Sequence, residues 1–319
     1  MINLFRSVVA ENKQHELFRQ LAHSDNFIAA RKLILNFLEQ FKIKDGNFIR
    51  QFQLKQSFHH RLWELYLYSY INSNPGRKII NENISPDLHI KENNHEYFIE
   101  ATTLNIPDDE TIKVDDFYLL NKYKSALIKK MRKKYWELEE VKEKPLIIAI
   151  HDYTLNETLG NTPFHLIDWL YLNKIKDEKK YIDFFEQEES KHISGILISG
   201  QATIPKFNRM GILAGYGEKN IKGVRLIQKL YTRSKEGDLK YNKKQKREMK
   251  ELDDPSYFEG WSEGLVFFHN PNSLNPILPP LLGDITHVIQ SQSGEVTIHP
   301  TGDEIYWSET WFFKIVDEL

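Results

Sequence analysis

Between residues 11 and 42 the apolar positions Phe18, Leu21, Phe27, Leu33, Ile34, Phe37, Leu38 and Phe41 recur at roughly helical spacing. Lys44-Asp45-Gly46-Asn47 reads as a turn, and a second helix is expected over about 51–71, ended by Asn72-Ser73-Asn74-Pro75-Gly76. The pattern then shortens to strands, expected over 78–84, 87–91 and 97–103. The polar Glu92-Asn93-Asn94-His95 suggests that the last two form a hairpin. A long helix over about 114–141, a strand over 146–150, a helix over about 163–188 and a strand over 193–199 follow.

Strands alternating with helices from about 80 to 200 predict an α/β core, with the long helix packed on a mixed sheet. The organisation expected is an N-terminal helical extension over 1–50, a core over 51–200 and a C-terminal elaboration over 201–319. After residue 200 the periodicity weakens. Short strands are expected at 266–269 and 296–299, and the proline-rich 275–280 reads as a rigid extended stretch.

Composition narrows the class. The 319 residues are 40% hydrophobic and 13% aromatic, ample for a packed interior, and the net charge of -2 favours neither nucleic acid nor membrane. With no cysteine, disulfides, thiolate zinc sites and cysteine nucleophiles are excluded. The start has no secretory pattern, and no run approaches the roughly 18 apolar residues of a spanning helix, so a soluble cytoplasmic chain is expected. Charge is nevertheless clustered. Residues 219–250 hold twelve basic and three acidic side chains, a balance of +9, and residues 122–134 hold seven basic and no acidic ones. One such cluster is ordinarily a solvated face; two together suggest a phosphate-facing surface.

Three carboxylates carry the candidate chemistry. Glu64 sits in Phe58-His59-His60-Arg61-Leu62-Trp63-Glu64-Leu65-Tyr66, a helix apolar on nearly every side. Burying it would cost several kcal/mol without a compensating cation. The plain reading is a local pair with Arg61; the functional one is a metal. Asp87 follows Pro86 where a strand begins, which is also ordinary turn chemistry. Glu100 falls on the opposite strand face from Ile99 and Ala101, where an isolated glutamate usually meets water.

A buried helical Glu64, then Pro86-Asp87, then Glu100-Ala101-Thr102 and a helix bearing Lys122, Lys124, Lys129 and Lys130 resembles the PD-(D/E)XK nuclease superfamily over about residues 55–150. The resemblance implies a restriction-endonuclease-like core of helix, three-stranded meander, helix and strand. It implies magnesium or manganese held by Asp87, Glu100, the Ala101 carbonyl and Glu64, and hydrolysis of nucleic-acid phosphodiesters, most naturally DNA in restriction or anti-phage defence. A homodimer or a defence-system partner protein would accompany that setting. The family's lysine position is Thr102 here, and some members carry the amine on the following helix instead. Lys124 is then the first candidate, with Lys129 and Lys130 behind it. The alternative is a catalytically silent relative that binds nucleic acid or serves as a structural subunit. A glycoside hydrolase with paired acids fits the apolar setting of Glu64 less well.

Other motifs take bland readings. His151-Asp152 ends a strand and is expected to anchor a loop, and His59-His60 is expected at a helix surface. The glycines at 211, 215 and 217 match no nucleotide-binding fingerprint, and Ser199-Gly200-Gln201 is no nucleophile elbow. Trp261, Trp307 and Trp311 are expected in the core rather than stacked on bases.

Overall fold

The computed structural model describes residues 4–40, 47–81, 85–105, 115–154, 163–172, 184–233, 239–241, 247–300 and 304–315. The expected first helix is two. Helix α1 (Glu16–His23) is capped by His15, whose Nδ1 accepts from the Leu17 N–H at 3.1 Å, and it stops at Ser24. The Ser24 hydroxyl accepts from the Asn26 N–H and starts a 3-10 turn that leads into α2 (Ile28–Gln40). The expected second helix is likewise split, into α3 (Asn47–Gln53), which takes up Asn47 of the expected turn, and α4 (Phe58–Asn72).

Strands β1 (Arg77–Asn81), β2 (Leu88–Glu92) and β3 (His95–Leu104) form the expected antiparallel meander. The β2–β3 hairpin closes at the pair Glu92↔His95, and Asn93 takes the positive φ of 55° that such a tight turn needs. Helix α5 (Asp116–Met131) is capped by the Asp115 carboxylate and stops ten residues short of the expected end. The chain then enters β4 (Leu146–Asp152) and β5 (Gly195–Ser199), so β3, β4 and β5 run parallel. The segment expected as a helix over 163–188 is, where described, short 3-10 and π turns.

Beyond residue 200 stands more structure than the sequence predicted. Helix α6 (Ile204–Leu213) is followed by β6 (Ile221–Arg233), β7 (Leu239–Tyr241), β8 (Arg247–Glu251), β9 (Val266–His269), β10 (Thr286–Gln290), β11 (Val296–His299) and β12 (Glu304–Lys314). The proline stretch turns into a 3-10 helix over Pro279–Leu282 rather than staying extended.

The chain divides into two compact units. One comprises 1–69, 201–263 and 303–319. Its sheet runs β12-β6-β7, with β8 also paired to β6. Here α6 lies close against α2, because a Cβ at Gly211 would meet the Ala29 backbone, and Gly215 ends the helix at φ 81°. A buried ionic network ties this unit together. Glu259 accepts from Lys206 at 2.6 Å, Arg209 at 2.7 Å and the Tyr257 hydroxyl at 2.6 Å, while Arg225 reaches Glu263 at 2.6 Å.

The other unit comprises 70–200 and 264–302, with an eight-stranded mixed sheet in the order β1-β2-β3-β4-β5-β9-β10-β11. Against one face of this sheet Tyr123, Leu127 and Met131 of α5 pack with Phe98, Leu104, Leu146, Ile148, Ile150, Ile196 and Phe268. Each apolar side chain fully buried there contributes roughly 1.5–3 kcal/mol. The architecture is therefore mixed α/β.

Candidate active site around Glu100

Glu100 lies in the middle of β3, which runs on to Leu104, and it stands opposite Ile148 of β4. As expected, its side chain leaves the face of Ile99 and Ala101, but the face it enters is covered by α5. The carboxylate is only 3% exposed. Three donors converge on its Oε1: Lys130 Nζ at 2.6 Å, the Tyr135 hydroxyl at 2.5 Å and Lys133 Nζ at 3.4 Å. The lysines at Glu100 are thus Lys130 and Lys133. Lys124 sits six residues before Lys130, about 9 Å further along the axis at 1.5 Å rise per residue.

The end of α5 arranges these donors. Past Met131 the chain turns through Lys134, whose φ of 48° is left-handed, and a short 3-10 turn over Tyr135–Glu137 brings the phenol back over the sheet. Burial raises the Tyr135 hydroxyl pKa, and the hydrogen bond to Glu100 and the charges of Glu100 and Asp87 push it the same way, against a hydrogen bond with Ser85. The phenol therefore stays protonated and donating. Lys133 also lies over the Tyr135 ring, 5.3 Å from its centroid.

Asp87 precedes β2, after a cis Ser85–Pro86 bond. Its Oδ2 accepts from the Ala101 N–H at 2.7 Å. The last β2–β3 pair is Leu88↔Ile99, so Ala101 lies past the end of β2. A strand residue sends its N–H and C=O to the same side, while Phe98 donates towards β4, at Pro145. The Ala101 carbonyl therefore points to the Asp87 side, beyond the last pair with β2.

The donor set fits a hard divalent cation. Two carboxylates and a main-chain carbonyl are oxygen ligands of the kind magnesium and manganese take, and magnesium commonly uses one or two carboxylates and keeps several waters. Among the described residues no group of three or more acid or histidine side chains is placed to hold an ion.

Glu64 belongs to the first unit. Its carboxylate accepts from Arg61 at 2.6 Å and pairs with His60 at 3.1 Å, the local reading of the sequence. Burial would raise its pKa, but the hydrogen bonds and charges of His60 and Arg61 hold it below the ordinary carboxylate value. That pairing meets the cost of burial without a metal.

Much of the second basic segment serves its own unit. Arg225 is buried on Glu263 and Glu259, Lys222 pairs with Asp253, Lys229 and Lys250 with Glu248, and Arg247 lies over the Trp307 ring. Residues 234–238 and 242–246, with four more of its lysines, lie outside the described residues.

Asp152 anchors a turn as expected, accepting from the Tyr123 hydroxyl at 2.7 Å and the Thr154 N–H at 2.8 Å. Trp261 and Trp307 are buried as expected, whereas Trp311 is 48% exposed on β12. Comparison with protein-family models, curated proteins and solved structures finds no match to this chain.

Proposed function

We propose that this chain is a metal-dependent nuclease of the restriction-endonuclease-like type, hydrolysing phosphodiester bonds in DNA. The observation that carries the reading is the convergence of Lys130, Lys133 and Tyr135 on buried Glu100, beside an Asp87 that holds the Ala101 N–H. The order of elements supports it too. A helix, an antiparallel meander, a crossing helix and a strand parallel to the meander's last strand follow in sequence.

Asp87, Glu100 and the Ala101 carbonyl would hold magnesium or manganese. When bound, the ion supplies Lewis-acid stabilisation for the charge that builds on the phosphate, and it acidifies water. Lys130 would orient the attacking water and offset charge on the phosphate. Tyr135 keeps the Glu100 carboxylate aimed. The exposed Lys122, Lys129 and Arg132 of α5 and its end would hold the backbone without reading sequence.

One observation favours a second reading, a silent nuclease fold that binds nucleic acid without cutting it. Glu100 already has its charge met by two ammonium groups and a phenol. Cleavage assays with magnesium and manganese separate the two. The first reading expects metal-dependent cutting lowered by about a hundredfold or more in Asp87→Asn, Glu100→Gln and Lys130→Ala, with Lys124→Ala near wild type. Salt-sensitive DNA binding with no cutting under either metal would establish the second.

A further inference from the structure

Three histidines of the second unit take no part in the chemistry above. His269 ends β9, His287 lies in β10 and His299 ends β11. His287 stands opposite Phe267 on one side and His299 on the other. A continuous row across the sheet joins Glu100, Ile148, Ile196, Phe268, Val288 and Ile298. Because successive strand residues alternate faces, all three histidines lie on the face opposite Glu100.

His269 Nε2 and His287 Nδ1 face each other at 2.9 Å. Two nitrogens each bonded at about 2.0–2.1 Å to one tetrahedral cation stand about 3.3–3.4 Å apart, so the pair need open by only about 0.4 Å to admit one. The His287 ring also hydrogen-bonds the Gly283 backbone. With Nδ1 turned to His269, the donor to that carbonyl is Nε2–H. A carbonyl on the far nitrogen is how ligating imidazoles are commonly oriented. His269 is steadied by the Phe267 ring, packed edge-on with centroids 4.6 Å apart. That ring has room because Gly195, opposite His269, has no Cβ to strike it.

Access and a further donor are at hand. His269 is partly exposed and His299 is exposed. His299 Nε2 shares a hydrogen bond with Thr297 Oγ1 at 2.9 Å, which leaves Nδ1 to offer. Side chains directly opposed on antiparallel strands have Cβ atoms about 4.5–5.5 Å apart, so a turn about the His299 side chain reaches the pair. Burial, then the charges of His287 and His299, keep the His269 imidazole neutral down to about 3, and burial lowers His287 in the same direction. Both rings therefore offer neutral imidazole at ordinary pH.

We propose that His269 and His287 bind one transition-metal cation of the zinc class, the His269 proton moving from Nε2 to Nδ1 as the metal takes Nε2, with His299 swinging in as third ligand and water completing the shell. Imidazole nitrogens suit zinc, nickel or copper rather than magnesium, so this site is chemically distinct from the carboxylates on the opposite face and stands without the nuclease reading.

The test titrates metal-stripped full-length protein with Co²⁺ followed by visible absorption, and with Zn²⁺ by calorimetry. One equivalent is expected, weakened at least about tenfold in His269→Gln and in His287→Gln. His299→Ala should weaken it less, and Asp87→Asn with Glu100→Gln should leave it unchanged. No binding, or binding unmoved by both histidine-to-glutamine changes, overturns the proposal. Should either variant fail to fold, imidazole nitrogen resonances of the wild type decide. Zn²⁺ must shift those of His269 and His287, and unmoved signals overturn the proposal equally.

Discussion

Tyr135 and Lys130 do for Glu100 what burial makes necessary. A carboxylate at 3% exposure retains its charge only if donors replace the lost water, and here the phenol and two ammonium groups meet on a single oxygen. Removing the phenol in Tyr135→Phe takes away a hydrogen bond to a charged acceptor, and a loss of about 1.5–3 kcal/mol is expected in urea unfolding. If Tyr135 also aims Glu100 at the metal, the same variant needs more Mg²⁺ for half-maximal cleavage. An unchanged metal requirement would reduce it to a structural role. The places of Asp87, just before β2, and of Glu100, within β3, were legible in the sequence from their flanks, Pro86 and the run Tyr97-Phe98-Ile99. The amine was harder to read. Lys124, Lys129 and Lys130 share one helix, and which of them meets Glu100 depends on how that helix lies on the sheet.

That dependence belongs to the elements. The helical pattern of α5 runs on in the sequence beyond Met131, yet the chain turns back at Lys134 in a left-handed conformation. No glycine marks the spot, so the stop was invisible, and Tyr135 with it. Lys134→Val places a β-branched residue at positive φ and should cost about 1–2 kcal/mol, while Lys134→Gly should be tolerated. Equal stability of the two variants would contradict the strained turn. Strand β6 was missed for a different reason. Its buried face carries Gly223, Arg225 and Ile227, only one of them a large apolar residue, so the strand gave almost no hydrophobic alternation. Arg225 can be buried because Glu259 and Glu263 pair with it, and they lie too far away in the chain for a local window to reveal the pairing. The meander and β4, by contrast, have apolar runs and a polar hairpin turn, and they appear close to where the pattern put them.

Across the whole molecule, buried charge sets the response to pH. Burial and the charge of Lys55 hold His15 neutral down to about 4, and His269 is held neutral down to about 3. The unfolded chain takes up protons on these rings near 6.5, before the folded chain does, so the unfolded state binds more protons over that window and stability falls as pH drops through it. Glu64 and Glu259 act at lower pH. Their folded pKa values lie below the ordinary 4.5, so their contribution is present above that value and is lost as acid protonates them in the folded state. Urea midpoints measured in chelator should therefore fall steadily from pH 7 to pH 4, and His269→Gln should flatten part of that fall. A midpoint constant over this range would contradict the assignment.

The central claim concerns a metal between two strands, and manganese seen by its anomalous scattering tests it most directly. In crystals soaked with Mn²⁺ the account predicts an anomalous peak about 2.0–2.3 Å from oxygens of Asp87 and Glu100 and near the Ala101 carbonyl, with Lys130 displaced from Glu100 Oε1. A Glu100 that keeps Lys130 and Tyr135, with no manganese beside it at saturating concentration, would contradict it.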